Sequence, residues 1–194
     1  MTIPTYADLE PKARRWAVDR GLIHPTGSPR LATPVGQHRK TLEEIGEAKG
    51  ALRTLAEYRA HPYEVQGVAD VEQELKTALA LEFGDVLVTL TLQAAMQGST
   101  LEECRRVGPG NAKPLTWQFV DWWAIELGVS AAHSSKKNEL TRMVALAEIG
   151  AIARCVEDEA RIQLSLLGPE CLALALAKIS NRQGEVVDGV FVKA

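Results

Sequence analysis

The chain lacks an excess of basic charge, has few cysteines, and holds no uninterrupted apolar run near its first residue. Lysine and arginine number 22 against 25 aspartates and glutamates, a formal charge of −3. A duplex nucleic-acid partner is therefore not expected, because neutralising a row of phosphates takes a strongly basic face. A small local pocket for a few phosphates stays compatible with that balance. Three cysteines, Cys104, Cys155 and Cys171, show no Cys-x-x-Cys or Cys/His spacing. That argues against a disulfide framework or a zinc site and for a reducing compartment, with the thiols acting as small buried hydrophobes. The first fifteen residues carry no apolar leader segment, so no secretory signal is expected. Apolar stretches around 144–156 and 164–177 are interrupted by Glu148, Arg154, Pro169 and Glu170. They fall short of the roughly 20 apolar residues of a membrane span. The expectation is a soluble cytoplasmic protein with no membrane contact.

Apolar residues make up 46% of 194 positions, enough for a buried core in one domain. The pattern is helical almost throughout. Residues 6–19 place Leu9, Ala13, Trp16 and Ala17 near one face, and Gly21 supplies a stop. Residues 24–34 hold three prolines and a glycine and read as a loop. A second helix is expected from Pro34, whose missing N–H is not needed in a first turn, to about 59, where His61-Pro62 breaks it. A third spans about 68–96 and ends before Gly98, and Ser99-Thr100-Leu101-Glu102 reads as a cap before a short helix at 100–106.

The strongest linker signal is 105–114 (RRVGPGNAKP), followed by helices expected near 117–127, 137–166 and 169–179. The last residues, 185–193, alternate around Asp188-Gly189 and read as a short extended tail or hairpin. The expected fold is an all-α helical bundle. Residues 41–52 (TLEEIGEAKGAL) are weakly echoed by 145–156 (ALAEIGAIARCV), so 109–167 reads either as an insertion or as a degenerate second repeat within one domain, 1–194.

Two acidic patterns carry chemistry. Glu43, Glu44 and Glu47 fall within one turn of the second helix, and residues three or four apart share a face. Glu82 and Asp85 lie one turn apart in the third, among Leu79, Leu81, Phe83, Val86, Leu87 and Leu90. Carboxylates in so apolar a helix need partners. If the two helices pack antiparallel, five carboxylates converge in an apolar cleft, an all-oxygen environment suited to Mg²⁺. The alternative is a solvated acidic face.

Four blocks bear on that choice. The segment ATPVGQHRKTLEEIGEA (32–48) resembles the approach to, and start of, the metal-binding helix of phage-type MazG-like nucleoside triphosphate pyrophosphohydrolases. EFGDVLVTLTL (82–92) is similar to their Glu-x-x-Asp helix, WAVDRG (16–21) to their N-terminal segment, and NRQGEVVDGVFVKA (181–194) to their C-terminal tail. The resemblance covers about half the chain. It implies a bundle of the all-alpha NTP pyrophosphatase type with extra helices, assembling as a homodimer or homotetramer. It also implies Mg²⁺-dependent hydrolysis of a nucleoside triphosphate, with Mn²⁺ as a substitute, and dGTP or GTP as the favoured substrate. By that resemblance Glu43, Glu44, Glu47 and Asp85 are metal ligands, and Glu82 is a ligand or orients the attacking water. Lys40 would neutralise a phosphate, Lys178 and Arg182 would supply further cations, and Trp16 would stack on a base or anchor the first helix. The pattern departs at Leu176, Ala177 and Ser180, where the family often has Tyr-Asn and Lys. That moves phosphate or sugar contacts elsewhere, with Lys136, Lys137 and Asn138 as candidates. Trp117, Trp122 and Trp123 read as packing or oligomer residues. A dUTPase-like pyrophosphatase and a non-catalytic oligomerisation scaffold are the alternatives.

Overall fold

The computed structural model describes residues 2–61, 68–107, 115–133, 139–180, 184–187 and 190–193. Seven α-helices follow in order: α1 (Tyr6–Asp19), α2 (Pro34–Ala60), α3 (Val68–Met96), α4 (Leu101–Val107), α5 (Val120–His133), α6 (Glu139–Leu164) and α7 (Gly168–Ile179). A 3₁₀ turn at Trp117–Phe119 leads into α5. Two strands, β1 (Gly184–Val187) and β2 (Val190–Lys193), pair antiparallel with Gly184 opposite Lys193 and Val187 opposite Val190. The tail is thus a hairpin on an all-α bundle.

The helix starts follow from side chains that satisfy orphan N–H groups. Thr5 and Asp8 form a reciprocal capping box on α1, and the Thr33 hydroxyl accepts from Gly36 N at 3.0 Å to open α2. Thr100 and Glu103 cap α4 in the same reciprocal way, at 3.0 and 3.1 Å. Glu10, buried on α1, adds a second cap by accepting from the Leu101 and Glu102 N–H groups.

α3 is the centre of the bundle. Leu79, Ala80, Phe83, Val86, Leu87 and Leu90 are all buried on it, and α2, α7, α6 and α1 pack around it. A helix apolar on every side is a core helix or a membrane span. Asp70–Met96 is long and apolar enough to cross a membrane, and 83% of its most apolar window is buried inside the protein. Its apolar faces are met by the other helices. The longest apolar stretch is therefore α3, not the 144–156 and 164–177 segments that composition draws attention to.

Partner residues of α2 and α3 run in opposite numerical directions. Thr41 meets Thr89 and Gln93, whereas Arg59 pairs with Glu72. The pair is antiparallel, as convergence of their acids requires.

Two glycines set the closest helix crossings. A Cβ on Gly84 of α3 would fall 2.2 Å from the Cys171 carbonyl oxygen of α7. One on Gly150 of α6 would fall 2.1 Å from the Cys104 carbonyl oxygen of α4. Each glycine follows a glutamate by two positions, in Glu82-Phe83-Gly84-Asp85 and Glu148-Ile149-Gly150-Ala151. The two close crossings thus give α3 and α6 a common local geometry. All three cysteines are free and buried, and burial pushes their thiols up to about 12.

Candidate metal centre

Burial on α2 decides which of its acids enter the cleft. Thr41, Glu44, Ile45, Ala48 and Leu55 are buried and define the face turned to the core. Glu44 lies on that face, Glu47 lies at its rim and is exposed, and Glu43 points away. Across the antiparallel contact α3 presents Glu82, half-buried, and Asp85, buried. Glu44, Glu47 and Glu82 each offer a carboxylate oxygen, and the three oxygens lie within 4.8 Å of one another. Two consecutive antiparallel helices therefore build one acidic cluster.

The electrostatics of that cluster register the missing charge compensation. Burial raises the Glu44 carboxyl to about 7; Lys40 opposes the rise, and Asp85 and Glu47 add to it. Glu82 is also raised, chiefly by burial, then by Asp85 and Glu47 against the opposing charge of Lys178. The Glu47 carboxylate lies close beside Glu82 and disfavours a second negative charge there. The second Glu82 oxygen, Oε2, is buried with no hydrogen-bond partner. An orphaned carboxylate oxygen beside two more carboxylates fits a hard divalent cation, whose charge would replace the protons and whose coordination takes oxygen ligands.

Two lysines stand at the edges. Lys40 bridges Glu43 and Glu44, at 2.8 Å to each. Burial lowers its ammonium but the bonds to both glutamates outweigh that, so the net shift is upward. Lys178, on the last turn of α7, donates to Asp85 Oδ2 at 2.7 Å. The close approach of α7 at Gly84 puts it within reach. A pocket of ≈ 100 Å³ opens beside these groups, lined by the charged Lys40, Glu44 and Asp85, the polar Gln37 and Thr89, and the largely apolar Trp16, Leu22, Val88, Leu92 and Ile179. The site thus offers both charged and apolar lining.

The sequence-level candidates are distributed as follows. Glu44, Glu47 and Glu82 are brought together, with Asp85 adjacent and tied to Lys178. Glu43 lies outside that trio, exposed, and pairs with Lys40. Trp16 lines the pocket, donates its indole N–H to the Ile179 carbonyl at 3.0 Å, and carries the Arg20 guanidinium 4.8 Å from a ring centroid. It anchors α1 to α7. Arg182, Lys136, Lys137 and Asn138 lie outside the described residues. Trp117 packs edge-on against Phe83, and Trp122 against Trp123.

Sequence reasoning passed over the polar chain beneath the pocket. Gln93 donates to the Thr41 hydroxyl at 2.6 Å, Thr41 donates to Thr89 at 2.9 Å, and Thr89 donates to the Val86 carbonyl at 2.7 Å. All three side chains are buried. The signal was present, as Thr89, Thr91 and Gln93 interrupt an otherwise apolar run. These bonds pin α2 to α3 about one to three turns from the acids and hold the register that brings them together.

A scan against models of known protein families, a search of curated proteins and a search of solved structures each return no match.

Proposed function

We propose that this chain is a metal-dependent nucleoside triphosphate pyrophosphohydrolase of the MazG-like type. The observation that carries the reading is the convergence of Glu44, Glu47 and Glu82 within 4.8 Å from two antiparallel helices. On this reading the three glutamates and Asp85 hold Mg²⁺, or Mn²⁺ in its place, and the substrate is cleaved between its α and β phosphates to give the nucleoside monophosphate and pyrophosphate. The cation, when bound, neutralises phosphate charge and makes a water more acidic.

The protein's own groups do the rest. Whichever of Glu44 and Glu82 is left free of the cation accepts a proton from the attacking water. Lys40 and Lys178 stand beside the acids as cations for phosphate oxygens. The apolar lining of the pocket, from Trp16 to Leu92, faces the nucleoside. Arg182 adds a further cation from the segment after α7.

Assembly as a homodimer or homotetramer in the cytoplasm belongs to the same reading, without a membrane or duplex nucleic acid. Exposed Ile125 on α5 and Ile162 on α6 are apolar surface that such assembly would cover. dGTP or GTP is the favoured substrate, in nucleotide-pool control or modified-base phage DNA metabolism.

The test is a panel of the eight common ribo- and deoxyribonucleoside triphosphates with Mg²⁺, assayed separately for pyrophosphate and orthophosphate. Pyrophosphate with the matching monophosphate is expected. Orthophosphate with a diphosphate, or no turnover of any nucleotide, contradicts the reading.

A further inference from the structure

A second pocket lies on the far pair of long helices. Val107, Trp122, Trp123, Glu126, Met143, Val144, Ala147 and Glu148 enclose a volume of ≈ 400 Å³ between α5 and α6, at the end of α4. Its position follows from the crossing at Gly150. As Glu82 precedes Gly84, Glu148 precedes Gly150, and the helix facing each glutamate contributes another, Glu47 from α2 and Glu126 from α5. Where α3 has Asp85 after its glycine, α6 has Ala151, fully buried. The second pocket therefore lacks the third acid. Among the described residues no group of three metal-binding side chains occurs there.

What replaces the acid is aromatic surface. Trp122 and Trp123 stand edge to face with ring centroids 4.5 Å apart, and Met143 and Val144 extend the apolar wall. Glu148 is only 4% exposed, and its Oε2 has no hydrogen-bond partner. Ser130 hydrogen-bonds the same carboxyl. Among the described residues no lysine, arginine or histidine lines the pocket, so none of them attracts a phosphate there. A buried carboxyl oxygen left unsatisfied is costly, and a donor that enters the pocket recovers that cost. Tryptophan faces attract cations, most strongly where water is excluded.

We propose that the pocket between α5 and α6 binds an organic cation with an apolar or aromatic body, its ammonium or amidinium group donating to Glu148 Oε2 and lying beside the Trp122–Trp123 pair. Glu126 provides a second negative group at the mouth. A bare divalent ion is disfavoured by the missing third ligand, and an anion by the two acids.

The probe is benzylammonium, with benzyl alcohol and benzoate as neutral and anionic controls of the same body. The four tryptophan indole N–H signals of ¹⁵N-labelled protein report binding, assigned by Trp122→Phe and Trp123→Phe. Benzylammonium is expected to shift the Trp122 and Trp123 signals saturably, with both controls silent at equal concentration. Glu148→Gln weakens the apparent affinity by about tenfold or more, Glu126→Gln by less, and Glu47→Ala, in the other cleft, leaves it unchanged. If circular dichroism shows Glu148→Gln misfolded, the Glu126→Gln titration and the two controls decide. Absence of a saturable shift overturns the proposal. So does equal binding of benzyl alcohol, which would make the pocket merely apolar, or displacement of the probe by Mn²⁺, which would make it a metal site.

Discussion

The Lys178 ammonium of α7 lies 2.7 Å from Asp85 Oδ2 on α3, so a carboxylate beside the acidic cluster is held by a protein cation. Lys40 does the same for Glu44 from within α2. Both lysines place positive charge beside the acids, as a bound cation would. Removing a lysine should weaken the metal-free protein and strengthen its response to metal.

Lys178→Met is expected to lower the melting temperature in the presence of chelator, because buried Asp85 loses a cation, at a cost of about 1–3 kcal/mol. Added Mn²⁺ then raises the melting temperature by more in the variant than in the parent. Thermal shift at a series of Mn²⁺ concentrations measures both effects. An equal metal-induced rise in the two proteins contradicts the assignment of Asp85 to the site.

Glu47→Ala and Asp85→Ala each remove one oxygen ligand from the rim and the floor of the cleft. Each should reduce pyrophosphate release by at least about a hundredfold, a barrier increase of about 2.7 kcal/mol, with the helical circular dichroism signal preserved. Glu43→Ala, on an exposed position outside the cluster, should retain activity within a fewfold of the parent. Steady-state rates of the three variants separate the ligand set from its neighbour.

Glycine carries opposite meanings along these helices. Gly84→Ala places a methyl 2.2 Å from the Cys171 carbonyl oxygen, whereas Gly50→Ala in α2 meets nothing within 4 Å. The first should destabilise the fold by about 3 kcal/mol or more. The second should be neutral or stabilise by about 0.5–1 kcal/mol, since alanine is the better helix former. Urea unfolding of the two variants checks the contrast.

Burial raises Glu148 from 4.5 to about 7, with Glu126 adding to the rise and Ser130 opposing it. Between those pH values the folded state keeps a proton that the unfolded state has released. Stability contributed by this group is therefore present below about 4.5 and is lost as pH climbs through about 7, on the order of 2–3 kcal/mol in all. Glu148→Gln should flatten that part of the profile and be the more stable form at pH 8. Melting temperatures of parent and variant from pH 5 to 8, with chelator, test the sign. A parent that gains stability across this range relative to the variant contradicts it.

Much of the fold was legible because capping residues and prolines mark its helices. Thr100 opens α4 where the sequence places a cap, Pro34 stands in the first turn of α2, and α3 spans the residues its periodicity gives. The acids of the site were legible by residue type, and their convergence from the apolar surroundings of Glu82. The rotation of α2 was harder to read. Ile45, Ala48 and Leu55 already define its buried face, and measured against them Glu43 is off-axis, but spacing among the acids alone does not show it. The glycine crossings were hidden for another reason. A helical glycine usually signals only a lost side chain, and nothing local tells that the Cys171 and Cys104 carbonyls close on Gly84 and Gly150.

The central claim is that α2 and α3 share a cation that a nucleotide also engages. Calorimetric titration of Mn²⁺ into the protein with and without a non-hydrolysable deoxynucleoside triphosphate, repeated on Glu47→Gln, measures this directly. The account predicts that nucleotide tightens Mn²⁺ binding in the parent and that Glu47→Gln loses both the affinity and the coupling. Nucleotide binding indifferent to Mn²⁺, or equal Mn²⁺ affinity in the variant, would contradict it.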